Sequence, residues 1–309
     1  MMGNARIGID VGTRWIKGVE LGRRGETLRT AAFPRLGDRL DGDEIARVSS
    51  VLRRKGFASS DVTLVCPRES LHRRIVALPA KPDRERDAGI VASTFEAAGD
   101  VASAPEPVWW DLTPGTKSEQ REVLAFAIDP TDALSWFESF AQAGLNLSGL
   151  DIHPSAAVRL ADEQTSIVAD MAYSHLGLTL SKDRRPVYER HDSELGLRGL
   201  LALEGRRLGQ ATDETETLVL SRGGFEGGTI AGYQSWARLV SESVLALAQY
   251  AQRKYPGSPD PSVLLVGGGA NNRIARELGE MAGLSCRCAG DAGEAFAGIA
   301  RAAVRGEAA

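Results

Sequence analysis

Cysteine is almost absent from this chain. The three present, Cys66, Cys286 and Cys288, are too few for a disulfide framework or a four-ligand metal set. Cys286 and Cys288 have no histidine or further cysteine close by in sequence, so they read as strand cysteines of a reducing compartment and not as zinc ligands. A basic excess is also missing. Lysine and arginine number 37 against 41 acidic residues, a net charge of -4, which argues against a nucleic-acid binder. The short basic runs Arg53-Arg54-Lys55 and Arg73-Arg74 read as solvated faces. No window approaches the ~18 apolar residues of a bilayer span. Met1 to Arg6 lead straight into a strand without the charged and apolar regions of a signal peptide, so a cytoplasmic protein is expected. What is present is ordinary: 43% hydrophobic and 25% charged residues in 309, enough for two domains and a sizeable core. Arginine far outnumbers lysine, a bias of genome composition.

Strands alternate with helices, which predicts an α/β fold. Ile7-Gly8-Ile9-Asp10 reads as a buried strand ending in a turn at Val11-Gly12-Thr13. Trp15 to Leu21 and Leu28 to Phe33 follow as a β-meander. Asp43 to Lys55 has helical spacing and is closed by Gly56. Val62 to Val65 and Leu71 to Leu78 are strands, and Asp83 to Phe95 is helical. Val108 to Trp110 and Val123 to Ile128 flank a polar tip, Pro114 to Gln120. Trp109 and Trp110 occupy successive strand positions, so one is expected inside and the other outside as a partner contact. Asp129 caps a helix through Phe140, with proline in its first turn and Gly144 beyond its end. Ser148 to Ile152 is a strand and Pro154 to Ala161 a helix. The second half then offers strands at Ser166–Asp170, Leu176–Leu180 and Pro186–Arg190, a mostly helical stretch from Asp192 to Arg222, and a long amphipathic helix from Ser235 to Tyr255. A strand at Val263–Val266 and a helix from Arg273 to Met281 complete the pattern.

The second half echoes the first. A shift of 160 residues lays Ile7-Gly8-Ile9-Asp10 on Ile167-Val168-Ala169-Asp170, and Ile16 on Leu176. Each half has a strand, an aspartate, a turn of small residues and a returning strand. Two such halves facing each other would place both aspartates on one cleft. Turn N–H groups make anion-binding concavities, and a glycine lets the main chain approach phosphate oxygens. Asp10 and Asp170 are the candidate Mg²⁺ ligands, acting through water. Thr13, Arg14 and Lys17, with Ser174 in the second turn, would add donors and charge. Gly267-Gly268-Gly269, between a buried strand and a helix, and the following Asn271 suit close approach to an adenine or ribose.

In this order and spacing, the three elements resemble the two phosphate loops and the adenosine motif of the actin-like ATPase superfamily. The segment Ile7 to Leu21, with Arg74-Ile75-Val76-Ala77-Leu78-Pro79, Ala143-Gly144-Leu145, Gly149-Leu150-Asp151 and the helix Leu239 to Tyr250, is similar to the PilM family of type IV pilus assembly proteins, relatives of FtsA and of the cytoplasmic part of GspL. The resemblance implies a bilobed, ribonuclease H-like duplicated fold. Its first lobe would be residues 1–165 with an inserted subdomain at about 34–122, and its second 166–309 with a small subdomain at about 191–234. It also implies ATP and Mg²⁺ as ligands, and a groove on the first lobe for the cytoplasmic N-terminal peptide of a PilN-like membrane protein. The expected role is a cytoplasmic scaffold of a type IV pilus or type II secretion-like inner-membrane complex, peripheral to the membrane through its partner and able to form homo-oligomers.

The chain departs from the superfamily pattern at the second loop, Asp170-Met171-Ala172-Tyr173-Ser174-His175. Ala172 falls where the first loop has Gly12, and a left-handed alanine there would cost about 1 kcal/mol. Tyr173 and His175 are expected to crowd the site. The family's A-E-x-x-K segment is matched only by Thr215-Glu216-Thr217-Leu218, without the lysine, and Glu216 reads as a solvated helix charge. His153, near where the superfamily keeps a water-orienting group, reads as a helix-start residue. Asp129, placed like a sugar kinase's base, reads as a cap. ATP is therefore expected to bind weakly or not at all, with no catalytic residue assigned and slow hydrolysis at most. The alternatives are an active kinase of a sugar or small acid, and an FtsA-like division filament protein. For the latter, the segment from Glu294 to Val304 is too short and alanine-rich to grip a membrane.

Overall fold

The computed structural model describes residues 5–101, 106–112, 119–161, 165–221, 232–290, 295 and 297–305. Most of the expected polar tip at Pro114–Gln120 lies outside the described residues, as do Glu294 and Phe296 of the C-terminal segment. The chain divides into two compact units, one formed by residues up to Ala156 with those from Ala303, the other by Ala157–Ala302.

The first unit runs β1 (Arg6–Val11), β2 (Trp15–Leu21), β3 (Thr27–Pro34), α1 (Gly42–Arg54), β4 (Asp61–Val65), β5 (Leu71–Pro79), α2 (Arg84–Ala97), β6 (Val108–Asp111), β7 (Gln120–Ile128), α3 (Pro130–Gln142), β8 (Asn146–Asp151) and the start of α4 (His153–Val158). Its main sheet has the order β3-β2-β1-β4-β8, antiparallel from β3 to β1 and parallel from β1 to β8. The parallel strands β1 and β4 are apolar and buried, as strands covered on both faces must be. Ile45, Val48 and Leu52 of α1 and Trp136 and Phe140 of α3 pack with Ile7, Ile9, Ile16 and Leu64 into one core. Each such side chain is worth about 1.5–3 kcal/mol of burial. Both helices have aspartate caps: Asp41 accepts from the Glu44 amide at 2.9 Å, and Asp129 from the Thr131 amide at 2.8 Å. Gly56 and Gly144, both at positive φ, end them.

A separate antiparallel sheet, β5-β7-β6, is covered by α2. It occupies residues 71–128, a later and narrower stretch than the 34–122 expected for the insertion. The difference lies in α1 and β4. The expected span assigned both to the insertion, whereas β4 pairs in parallel with β1 and α1 packs on the main core. Buried Asp87 of α2 is held by Arg121 of β7, which also reaches Asp111 of β6. Burial opposes the Asp87 charge, yet the Asp83 amide and the Arg86 and Arg121 guanidiniums hold its carboxyl below the usual range. Trp109 and Trp110 do alternate, but both are half-buried, not one inside and one outside. Trp109 packs on the α2 side of the sheet, and Trp110 stands edge-on to Phe126 at 5.9 Å on the other. This small sheet is apolar on both faces.

The second unit contains the end of α4, then β9 (Thr165–Met171), β10 (Leu176–Lys182), β11 (Arg185–Asp192), α5 (Leu197–Leu208), α6 (Thr212–Ser221), α7 (Tyr233–Lys254), β12 (Ser262–Val266), α8 (Asn272–Ala282), β13 (Cys286–Cys288) and most of α9 (Gly298–Arg305). The sheet order is β11-β10-β9-β12-β13, again antiparallel to the middle strand and parallel after it. Strand for strand this repeats the first unit. The two halves therefore share one topology, the duplication that the 160-residue echo implied and the ribonuclease H-like fold that the resemblance implied. Trp236, Val240 and Val244 of α7 lie in the core with Leu178 and Leu180 of β10. Cys286 and Cys288 sit on edge strand β13, where burial pushes both thiols up, Cys286 to about 11, and keeps them protonated.

Candidate functional site

In the first unit, Asp10 is the register partner of Lys17 across β1 and β2. Both are buried, and Lys17 Nζ donates to Asp10 Oδ2 at 2.9 Å. The antiparallel register creates this pair, since residues directly opposite share one face of the sheet. Gly12 donates its N–H to the Trp15 carbonyl at 3.0 Å, and a Cβ there would lie 3.1 Å from that same oxygen. The glycine thus serves close approach, with an ordinary φ. Thr13 and Arg14 are exposed at the turn. One participant escaped the sequence reading: Arg35, just after β3, reaches the Gly12 carbonyl at 3.4 Å with a side chain only 2% exposed.

In the second unit, the register partner of Asp170 is Gly177, where the first unit has its lysine. His175 stands in that space. It is buried, with Nε2 4.0 Å from Asp170 Oδ2 and Nδ1 3.0 Å from Ser174 Oγ. Its ring lies 5.0 Å from His191, whose Nε2 is 2.6 Å from Glu189. The bulk of His175 does crowd the carboxylate, as expected. Ala172 is a correction: it has no positive φ, so the turn asks for no left-handed residue and alanine costs nothing there. Tyr173 turns instead to the core and reaches Glu216 at 3.4 Å, so Glu216 is engaged within its own unit and is not simply a solvated charge.

The remaining residues expected to hold nucleotide in this unit hold one another. The carbonyls of Ala172 and Tyr173 accept from the first two amides of α5, Leu197 at 3.1 Å and Arg198 at 2.8 Å. A Cβ on Gly267, which has φ +90, would lie 2.2 Å from Asp170 Oδ1. Gly269 donates to the Met171 carbonyl at 2.9 Å, while Gly268 is exposed. Asn271 caps α8, accepting from the Ile274 amide at 2.9 Å. The close approach that the glycines were expected to offer a ligand is made here to the second loop itself. Among the described residues no group of three metal-ligating side chains comes together. Asp129 is occupied as the α3 cap, and His153 is the half-buried first residue of α4.

A groove of about 620 Å³ in the first unit lies between α3 and the small sheet. Leu71, Val108 and Phe126 form one wall, Leu134 and Phe137 the other, with Cys66, Leu150 and Ile152 also lining it. Among the described residues Glu106 is its one charged lining residue. Val108 is 45%, Leu134 62% and Phe137 41% exposed, a concentration of apolar surface of the kind that marks an interaction site. Burial holds the Cys66 thiol far above its ordinary range, so it contributes only apolar surface. The signal was present in the sequence of α3. Trp136 and Phe140 form its core face, and Leu134 and Phe137, three apart, form a second apolar face that a one-sided amphipathic helix would not need.

Two units of this topology, each with an aspartate-ended first strand and a returning strand, define the actin-like fold. Among solved structures the chain is similar to a PilM–PilN type IV pilus biogenesis complex, with a TM-score of 0.72 and 19% identity over 97% of this chain and 98% of that one. It is similar also to the ethanolamine utilization protein EutJ from Carboxydothermus hydrogenoformans, with a TM-score of 0.60 and 17% identity over 97% of this chain and 90% of that one. A third likeness is to a putative N-acetylmannosamine kinase from Listeria monocytogenes, at 0.54 and 12% over 98% and 100%. No family model matches the chain. No curated protein matches it significantly. These likenesses establish the fold, and the PilM resemblance read from the sequence reappears in it.

Proposed function

We propose that the chain is a non-catalytic actin-like scaffold of a type IV pilus or related inner-membrane assembly, whose working surface is the first-unit groove. The groove receives the extended cytoplasmic N-terminal segment of a PilN-like membrane protein. The observation that carries this reading is the exposed apolar lining on both walls, Val108 on one and Leu134 and Phe137 on the other. Such an apolar lining suits a peptide whose alternate apolar side chains enter while its main chain stays at the rim. No helix among the described residues is long and apolar enough to cross a membrane, so the partner would supply the membrane attachment. Nucleotide is secondary. Asp10 and Lys17 keep a carboxylate and a cation that suit Mg²⁺ and phosphate, on either side of the turn that Gly12 tightens, with Mg²⁺ held by Asp10 through water where it binds. The second-unit residues fit ATP and Mg²⁺ poorly, because Asp170 is hemmed by His175 and Gly267 and the loop carbonyls are bonded to α5. ATP binding is accordingly weak or absent, and hydrolysis has no assigned base.

The test is fluorescence anisotropy with the labelled cytoplasmic N-terminal peptide of a PilN-like single-span membrane protein from the same genome. Saturable binding is expected, with Phe137→Asp weakening it tenfold or more, the loss of about 1.4 kcal/mol or more typical of an apolar anchor. Binding unchanged in Phe137→Asp and in Leu134→Asp would remove the groove from the account.

A further inference from the structure

We propose that Arg35 couples the first loop to the groove, so that occupancy of one changes the affinity of the other. Arg35 follows β3, and its amide donates to the Arg14 carbonyl at 2.9 Å. Its guanidinium, 2% exposed at the side chain, reaches the Gly12 carbonyl at 3.4 Å, the Asp38 carbonyl at 2.8 Å and the Glu69 carboxylate. Glu69 lies in the single turn Arg68–Ser70, and the next residue is Leu71, the start of β5 and part of the groove wall. One buried side chain therefore touches both the turn after Asp10 and the root of the inserted sheet.

A second path runs beside it. Val65 of β4 is the register partner of Asp10, and Cys66, the next residue, lines the groove with its amide held by the Asp151 carbonyl at 2.8 Å. The guanidinium is a planar fork of fixed geometry, so the Gly12 turn cannot shift without moving Glu69 or breaking a bond to it. Its Nε has no hydrogen-bond partner among the described residues. A buried charge with an orphaned nitrogen is a poor stabiliser compared with an apolar contact of similar size. What it does provide is a fixed relation between the Gly12 turn, 23 residues before Arg35, and Glu69, 34 residues after it. Coupling between two bound ligands is reciprocal, so a peptide in the groove would alter the first loop as much as a phosphate at the loop alters the groove. The functional meaning rests on the groove-and-loop reading above; the mechanical link does not.

Hydrogen exchange of the whole chain, without any ligand, tests the link. Glu69→Gln alters only the insertion side of it. Coupling predicts that the Gly12–Trp15 amides exchange about threefold faster or more in this variant, together with 68–76, while β9 and β10 stay unchanged. Change confined to 66–78 would overturn the proposal. With inorganic pyrophosphate as the first-loop probe and the labelled peptide as the groove probe, pyrophosphate should shift the peptide Kd about threefold in the wild type and not in Arg35→Lys, whose ammonium cannot span the three acceptors. An unmoved wild-type Kd despite pyrophosphate protection at 12–15 would also overturn it. If pyrophosphate gives no protection there, the phosphate reading of the first loop falls; if the peptide fails to bind, the groove reading falls; in either case the Glu69→Gln exchange pattern still decides the coupling.

Discussion

The two aspartate-ended loops occupy equivalent places in equivalent sheets and have been put to different uses. Asp10 faces a lysine across its strand pair, at 2.9 Å. Asp170 faces a glycine at the same register, with His175 filling the space at 4.0 Å. The first loop turns on Gly12 and leaves Thr13 and Arg14 exposed, whereas the second gives its carbonyls to α5 and its carboxylate to the wall made by Gly267. Duplication preserves topology because the core demands it. The loops are freed from that demand, and one has become internal packing.

The largest expected effect lies in the second loop. Gly267→Val would place a branched side chain at φ +90 and drive its Cβ onto Asp170. Together these should destabilise the second unit by about 4 kcal/mol or more, visible as a lowered Tm. Gly12→Ala, at ordinary φ and with a 3.1 Å contact, should cost about 1 kcal/mol, far less than the change at Gly267. Next comes Lys17→Met. It strands the buried Asp10 carboxylate and should cost about 3 kcal/mol. Gly177→Ala, at the corresponding register, meets only ordinary contacts from 3.5 Å and should change stability by under about 0.5 kcal/mol. A comparably small effect is the sharpest test of the second turn. Ala172→Gly should not restore anything; it should destabilise by roughly 0.5–1 kcal/mol through backbone entropy, since φ is ordinary there. A stabilised Ala172→Gly would mean that the turn does want a left-handed residue.

The repeated strand, aspartate and returning strand were legible because buried parallel strands are written as local apolar runs. The Asp129 cap, and the Gly56 and Gly144 stops, were equally local. The limits of the insertion were not legible, because α1 and β4 have the same period and composition whichever sheet they join. Nor was the fate of Asp170, which depends on Gly267 almost a hundred positions away in the chain. Arg35 offered no pattern at all, since its acceptors are two carbonyls and one distant carboxylate. The groove was half-written: α3 displays its second apolar face, but the opposite wall comes from β5, β6 and β7, and only folding brings them together.

The central claim is that the first-unit groove, and not nucleotide turnover, is the working surface. Hydrogen exchange with and without saturating partner peptide tests it most directly. The account predicts protection gathered at 66–71, 106–110, 126–137 and 150–152, with residues 170–177 and 267–271 unchanged by either peptide or Mg-ATP. Protection of those second-unit segments by Mg-ATP, with the groove segments untouched by peptide, would contradict it.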